Sequence, residues 1–164
     1  MHDWLPFVID LEASGFGRGS YPIEVGTVLG DGTLRCFLIR PEPEWTHWDV
    51  HAEAVHGIPR RILEQRGVPV AEVATRLNQL LGGQTVYTDG WGFDLTWLAK
   101  LLEFAGASQH FQLGSVRCLL EESQVGHWHV TYTRVMTELA ARRRRASSDA
   151  LVVQKTLQQI RTLV

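Results

Sequence analysis

Phe7-Val8-Ile9-Asp10-Leu11-Glu12-Ala13-Ser14-Gly15-Phe16 is the stretch on which the reading of the fold turns. Side chains of a β-strand alternate faces, so Phe7, Ile9 and Leu11 point one way while Val8, Asp10 and Glu12 point the other. Two carboxylates therefore share one face of an otherwise apolar strand. Like charges about 4 Å apart repel by ~4 kcal/mol at an effective dielectric near 20. A core strand tolerates that when a cation is shared or a proton is taken up. Otherwise the pair must sit at a strand end where both acids reach water. Carboxylate oxygens with no His or Cys partner favour Mg²⁺ or Mn²⁺ over Zn²⁺.

Outward from this strand, residues 23–29 and 33–39 form two more β-rich runs, joined through Gly30-Asp31-Gly32. Glycine on both sides of an aspartate is hairpin-turn chemistry, so three strands in antiparallel meander order open the chain. Residues 41–56, rich in Pro, Trp and Glu, read as a loop. Pro59 suits the first turn of a short helix. Val73, Leu77, Leu80 and Leu81 then give a helical stripe that stops at Gly82-Gly83. Residues 84–88 read as a short strand, and Leu95, Leu98, Leu101, Leu102 and Ala105 as a helix ending near Gly106. Residues 113–120 fit strand or helix. Val135, Met136 and Leu139 mark another helix, and a last one is expected over 149–163 with Ser148 as its N-cap. With no repeat, linker or low-complexity segment, 1–164 reads as one domain.

The composition suits an ordinary globular protein, with 45% hydrophobic and 21% charged residues. A net charge of −2 argues against coating long nucleic acid by bulk electrostatics. It leaves room for an enzyme that grips a few nucleotides at one end of a strand. Cys36 and Cys118 make no disulfide framework and read as reduced, buried thiols. Met1-His2-Asp3-Trp4 lacks the basic-then-apolar pattern of a signal peptide. No apolar run approaches the roughly 20 residues of a membrane helix. The expectation is a soluble cytoplasmic protein with no membrane association.

Asp94 and Asp149 each stand at the start of a helical pattern, where an aspartate usually serves the helix dipole or a cap. They also add two acids at element ends, where α/β folds gather their chemistry. Of the aromatic residues, Trp97 lies in a helix that packs Leu98 and Leu101 and defaults to core. Trp45 and Trp48 fall in a loop, suited to flanking a substrate or a partner subunit.

Asp10-Leu11-Glu12-Ala13-Ser14-Gly15-Phe16 resembles the first motif of the DEDD superfamily of 3′–5′ exonucleases, the ribonuclease T and proofreading-exonuclease group. Ile23-Glu24-Val25-Gly26 matches the strand that follows in that group, and His56-Gly57-Ile58 its short signature before the first helix. Gly92-Phe93-Asp94 resembles the second motif, with Gly90 where Asn is usual. Arg145-Ala146-Ser147-Ser148-Asp149-Ala150 resembles the third. The five stretches occur in the right order over nearly the whole chain.

The resemblance implies an α/β, RNase H-like fold: a mixed five-stranded sheet flanked by helices. It implies two divalent ions, Mg²⁺ or Mn²⁺, held by Asp10, Glu12, Asp94 and Asp149. Such a pair hydrolyses the bond at the 3′ end of single-stranded RNA or DNA and releases nucleoside monophosphates. Ala13, Ser14 and Phe16 would lie against the terminal nucleotide, with Phe93 a second aromatic beside its base. A homodimer is compatible with this reading.

One departure falls at the general base. The family places His five residues before its last Asp, or Tyr four before; here those positions are Arg144 and Arg145. Arginine offers only donors and stays protonated, so it takes no proton from water. Three repairs fit: the metal pair acts without a side-chain base, His127 or His129 substitutes, or Arg144 holds the scissile phosphate. The alternative is a catalytically weak or inactive exonuclease-fold domain that binds nucleic acid or a protein partner. Asp89, close before Asp94, could assist a metal or simply shape a turn.

Overall fold

A computed structural model describes residues 5–139 and 145–163. Five strands, β1 Phe7–Ala13, β2 Pro22–Val28, β3 Leu34–Leu38, β4 Thr85–Thr88 and β5 Gln112–Ser115, form one sheet in the order β3-β2-β1-β4-β5. β1, β2 and β3 pair antiparallel, whereas β4 runs parallel to both β1 and β5. The meander closes where expected. Leu29 N–H donates to Thr33 O at 2.9 Å, and Gly32 takes φ 83°, a conformation that favours glycine.

Helices cover both faces. Their ranges are α1 Val50–His56, α2 Arg60–Arg66, α3 Val70–Leu81, α4 Trp91–Ala105, α5 Glu122–Val125, α6 Trp128–Glu138 and α7 Ala146–Arg161. The alternation of β1 sorts its side chains between two cores. Ile9, Leu11 and Ala13 join Val73, Leu77, Leu98 and Leu101 of α3 and α4. Val8 joins Val28 of β2 with Ala150, Val153 and Leu157 of α7. The result is the expected mixed five-stranded α/β sheet between helices. Among the described residues, no helix is long and apolar enough to cross a membrane.

Several local expectations are corrected. The segment 41–56 is not all loop, because α1 fills its second half. The Asp49 side chain accepts from His51 N at 2.8 Å to start that helix, and Gly57, at φ 69°, ends it. Residues 113–120 divide between the end of β5 and a 3₁₀ turn, Val116–Leu119. Helix α7 begins at Ala146, so Ser148 lies in its first turn and is not the N-cap. Trp45 is 2% exposed, stacked on Tyr21 with ring centres 5.2 Å apart, and is core. Cys36 and Cys118 are exposed rather than buried, Cys36 because β3 is an edge strand.

Candidate metal centre and nucleotide pocket

Backbone packing places the four acids before their side chains do anything. β1 presents Asp10 and Glu12 on the face that α7 crosses. α7 can come so close because β2 has Gly26 beside Asp10: a Cβ there would lie 2.1 Å from Ser147 N. Glu24, two residues earlier and fully buried, reaches up to the same helix start. Its Oε1 accepts from Ala146 N–H at 2.7 Å, and its Oε2 accepts from Arg145 Nε at 2.7 Å and from a second guanidinium nitrogen. A buried acid on β2 thus supplies the cap that Ser148 does not. The first turn of α7, and Asp149 with it, is pinned over β1. One carboxylate oxygen from each of Asp10, Glu12 and Asp149 lies within 4.8 Å of the others.

Asp94 arrives from the opposite side. β4 stops at Thr88, a turn follows, and Asp94 N–H donates to Gly90 O at 2.9 Å in the first turn of α4. The buried Asp94 carboxylate accepts from the Thr88 hydroxyl and from the main-chain N–H of Leu11. Gly90 is pressed against it, since a Cβ there would be 3.1 Å from Asp94 Oδ2. That contact is a physical reason for glycine where the motif usually carries Asn. Asp94 therefore faces the same cavity as the other three acids, at the carboxyl ends of the parallel strands, the usual location of chemistry in such sheets.

The electrostatics show a site that resists full ionisation. Burial raises the Asp10 carboxyl well above its ordinary range, and the charges of Asp94, Asp149, Glu12 and Asp89 raise it further. Burial likewise pushes Asp94 up to about 7, against the lowering pull of the Thr88 hydroxyl. Asp10 Oδ2 is shut off from solvent and has no hydrogen-bond partner. An orphaned carboxylate oxygen among converging acids, with no sulfur or imidazole in the group, fits a hard divalent cation.

The other wall of the cavity, about 350 Å³ in volume, is apolar, formed by Ala13, Gly15, Phe16, Ala52, Val55, Phe93 and Trp97. Phe16 and Phe93 remain 66% and 54% exposed, edge to face at 5.0 Å. Trp97 is buried behind them, stacked on Phe93 at 5.6 Å, with its Nε1 donating to Ser20 Oγ at 3.1 Å. An acid floor beside open aromatic faces is a shape that accepts a phosphate through metal and a base by stacking.

Of the residues expected to touch a nucleotide, Ala13, Phe16 and Phe93 line this cavity and Ser14 does not. Ser14 is fully buried, its hydroxyl paired with His47 Nδ1 at 2.9 Å and accepting from Tyr21 N–H at 3.1 Å. Its polar group serves the turn after β1, because a hydroxyl buried there needs partners. Arg144 lies outside the described residues. His127 and His129 are exposed at the start of α6 and are not among the cavity's lining. Asp89 lines the neighbouring groove and acts on the acids through its charge.

The sequence reading took His56 only as part of a signature and assigned it no role, yet it lines the cavity. Its Nδ1 accepts from Ile58 N–H at 3.0 Å, and burial holds its pKa below the ordinary value. The ring is then neutral with its proton on Nε2, so it has no free nitrogen to receive a proton. Glu24 was likewise quoted without a function. The signal for it was an acid inside the apolar run Ile23-Glu24-Val25, which a packed strand keeps only when a partner satisfies it.

No family model matches the chain, and no curated protein matches it. Solved structures do. E. coli Exonuclease I in complex with a 5cy-dT13 oligonucleotide aligns over 95% of this chain at TM-score 0.68 and 11% identity. E. coli Exonuclease I with a dT13 oligonucleotide aligns over 70% at TM-score 0.56 and 12% identity. A moderately thermophilic Exonuclease I from Methylocaldum szegediense aligns over 79% at 0.57 and 15% identity. The matched regions are 40%, 28% and 29% of those chains, so this chain spans well under half their length. At such identities the likeness is one of fold. It is the RNase H-like exonuclease architecture that the motifs implied.

Proposed function

We propose that the chain, as one exonuclease-like domain over 1–164, is a metal-dependent 3′–5′ exonuclease acting on single-stranded RNA or DNA. One observation carries the reading: Asp10, Glu12 and Asp149 converge within 4.8 Å, with Asp94 in the same cavity, opposite an exposed aromatic wall. A module that only bound nucleic acid would have no use for four carboxylates that repel phosphate. The fold shared with Exonuclease I supports the same conclusion.

Asp10, Glu12, Asp94 and Asp149 would hold two divalent ions, Mg²⁺ or Mn²⁺. When bound, such a pair polarises the scissile phosphate, makes water a better nucleophile and stabilises the leaving 3′ oxygen. The remaining work falls to the chain. Phe16 and Phe93 stack the terminal base, and Ala13 and Gly15 present short side chains that let the sugar approach β1. His56, neutral and protonated on Nε2, helps to wall the cavity and takes no proton from water. Among the described residues lining the cavity there is no other histidine, so the only side chains there able to take up a proton at neutral pH are the acids. Arg144 would grip the scissile phosphate with its planar fork.

The test is product analysis on oligonucleotides labelled at either end, in Mn²⁺, Mg²⁺ or EDTA. Shortening from the 3′ end with monophosphate release is expected in metal, and none in EDTA or with Asp10→Asn. Internal cuts in a circular single strand that disappear with Asp94→Ala would assign the site to an endonuclease instead.

A further inference from the structure

Beyond the acid cavity, α4 borders a second groove that nothing above has used. It holds about 690 Å³, shares Gly90, Phe93 and Trp97 with the cavity, and adds Asp89, Trp91 and Gly92. Phe93 thus stands as a ridge with space on both sides. Trp91 is 41% exposed at the first position of α4, beside Phe93 at 54%. Gly92 sits between them, and a Cβ there would meet nothing within 4 Å. We propose that this groove takes the base of the second nucleotide of the same strand, stacked on Trp91, so that the protein reads two nucleotides rather than one. The inference rests on the nuclease reading above.

Continuity with the acid cavity picks this occupant. A strand whose last base lies against Phe16 and Phe93 must leave the cavity somewhere, and the groove opens directly across the Phe93 ridge. Charge narrows the choice of chemical group. Asp89 lines the groove, and a carboxylate repels a phosphate, so an uncharged aromatic base is favoured there over backbone. Stacking on an exposed indole is tolerant of base identity because every base offers a π-face. The second subsite should therefore add affinity without sequence preference.

The groove can be plugged without touching the fold. Leucine at position 92 projects into open space, and glycine is a poor residue for a helix interior, so Gly92→Leu should fold at least as stably as wild type. Binding of thymidine 5′-monophosphate and of the dinucleotide pdTdT is compared by tryptophan fluorescence and calorimetry in Ca²⁺, with Gly92→Ala as the open-groove control. Each stacked base is worth ~1–3 kcal/mol, or about 5- to 150-fold. The dinucleotide should bind wild type about tenfold more tightly than the mononucleotide. Trp91→Ala and Gly92→Leu should each remove that gain and leave mononucleotide affinity within about twofold. If the dinucleotide gains nothing, or its gain survives both variants, the second subsite is refuted while the nuclease reading stands. If neither ligand binds wild type at all, both fail together.

Discussion

Asp94→Asn should stabilise the metal-free protein at pH 8 and destabilise it relative to wild type once Mn²⁺ is added. Burial is the main reason that Asp94 titrates near 7, partly offset by the Thr88 hydroxyl and reinforced by the charge of Asp89. The folded pKa is above the unfolded one, so the folded state holds the proton more tightly. The stability from that proton is fully present below about pH 4 and is lost as pH rises through about 7. A carboxyl that titrates near 7 folded and near 3.9 unfolded costs about 4 kcal/mol once charged, at 1.36 kcal/mol per pH unit. Asparagine keeps the shape, still accepts from Thr88, and never carries the charge. Urea denaturation in EDTA from pH 4.5 to 8.5 should show the variant near wild type at the acid end and about 2–4 kcal/mol more stable at pH 8. Mn²⁺ at 100 times its dissociation constant then adds about 2.7 kcal/mol to wild type and much less to the variant. A pH-independent difference, or a more stable wild type at pH 8 in EDTA, would refute the account of strained acids.

Four further outcomes follow from the same geometry. Glu24→Ala leaves Arg145 and Ala146 N–H without their acceptor and should cost about 2–3 kcal/mol in urea, the half-exposed Arg145 softening the loss; Glu24→Gln should recover about half. Gly26→Val drives a side chain into Ser147 and should lower both thermal stability and Mn²⁺ affinity by calorimetry, because α7 must lift away with Asp149. Arg144→His restores the family's spacing to Asp149 and should raise turnover by about 10² or more near neutral pH; an unchanged rate would mean that catalysis needs no side-chain base. Calorimetry of Mn²⁺ binding at pH 6.5, in buffers of different ionisation enthalpy, should detect proton release, which Asp94→Asn reduces.

Much of this architecture was legible because period-two alternation is written into the strands themselves. Phe7 to Glu12 sorts onto two faces in the sequence as it does in the sheet, and Gly30-Asp31-Gly32 closes its hairpin as turn chemistry requires. The misreadings have a common source in tertiary contacts. Helix α1 was hidden because Val50 to His56 has no apolar stripe of its own; only Asp49 and Gly57 mark its ends. Ser148 has the residue type of an N-cap, yet the helix starts earlier because Glu24 caps it from 122 residues away. Ser14 looked like a nucleotide contact because it follows Glu12 in the motif. Its burial behind the turn depends on His47, a residue from a loop 33 positions on. The carboxylate convergence was legible only in part: two acids on one strand follow from periodicity, whereas Asp94 and Asp149 needed the motif order to be linked to them.

The four acids do not share their burden evenly, and the fold explains the inequality. Asp94 and Asp149 each occupy the first turn of a helix, α4 and α7, where the partial positive charge of the backbone favours an anion. Asp94 also has the Thr88 hydroxyl and the Leu11 N–H. Asp10 lies mid-strand with no helix end to compensate it, and its Oδ2 has no donor. It is therefore the acid on which burial and four neighbouring charges act most strongly, and the metal-free protein keeps a proton there. A cation entering the site must displace that proton, so affinity should rise with pH through the range in which Asp10 and Asp94 ionise. The same arrangement locates the weak point of the metal-free fold. α7 is held at its start by Glu24 and Arg145, and the acid it carries pushes against β1. Metal converts that repulsion into attraction at the one place where α7, β1 and α4 meet.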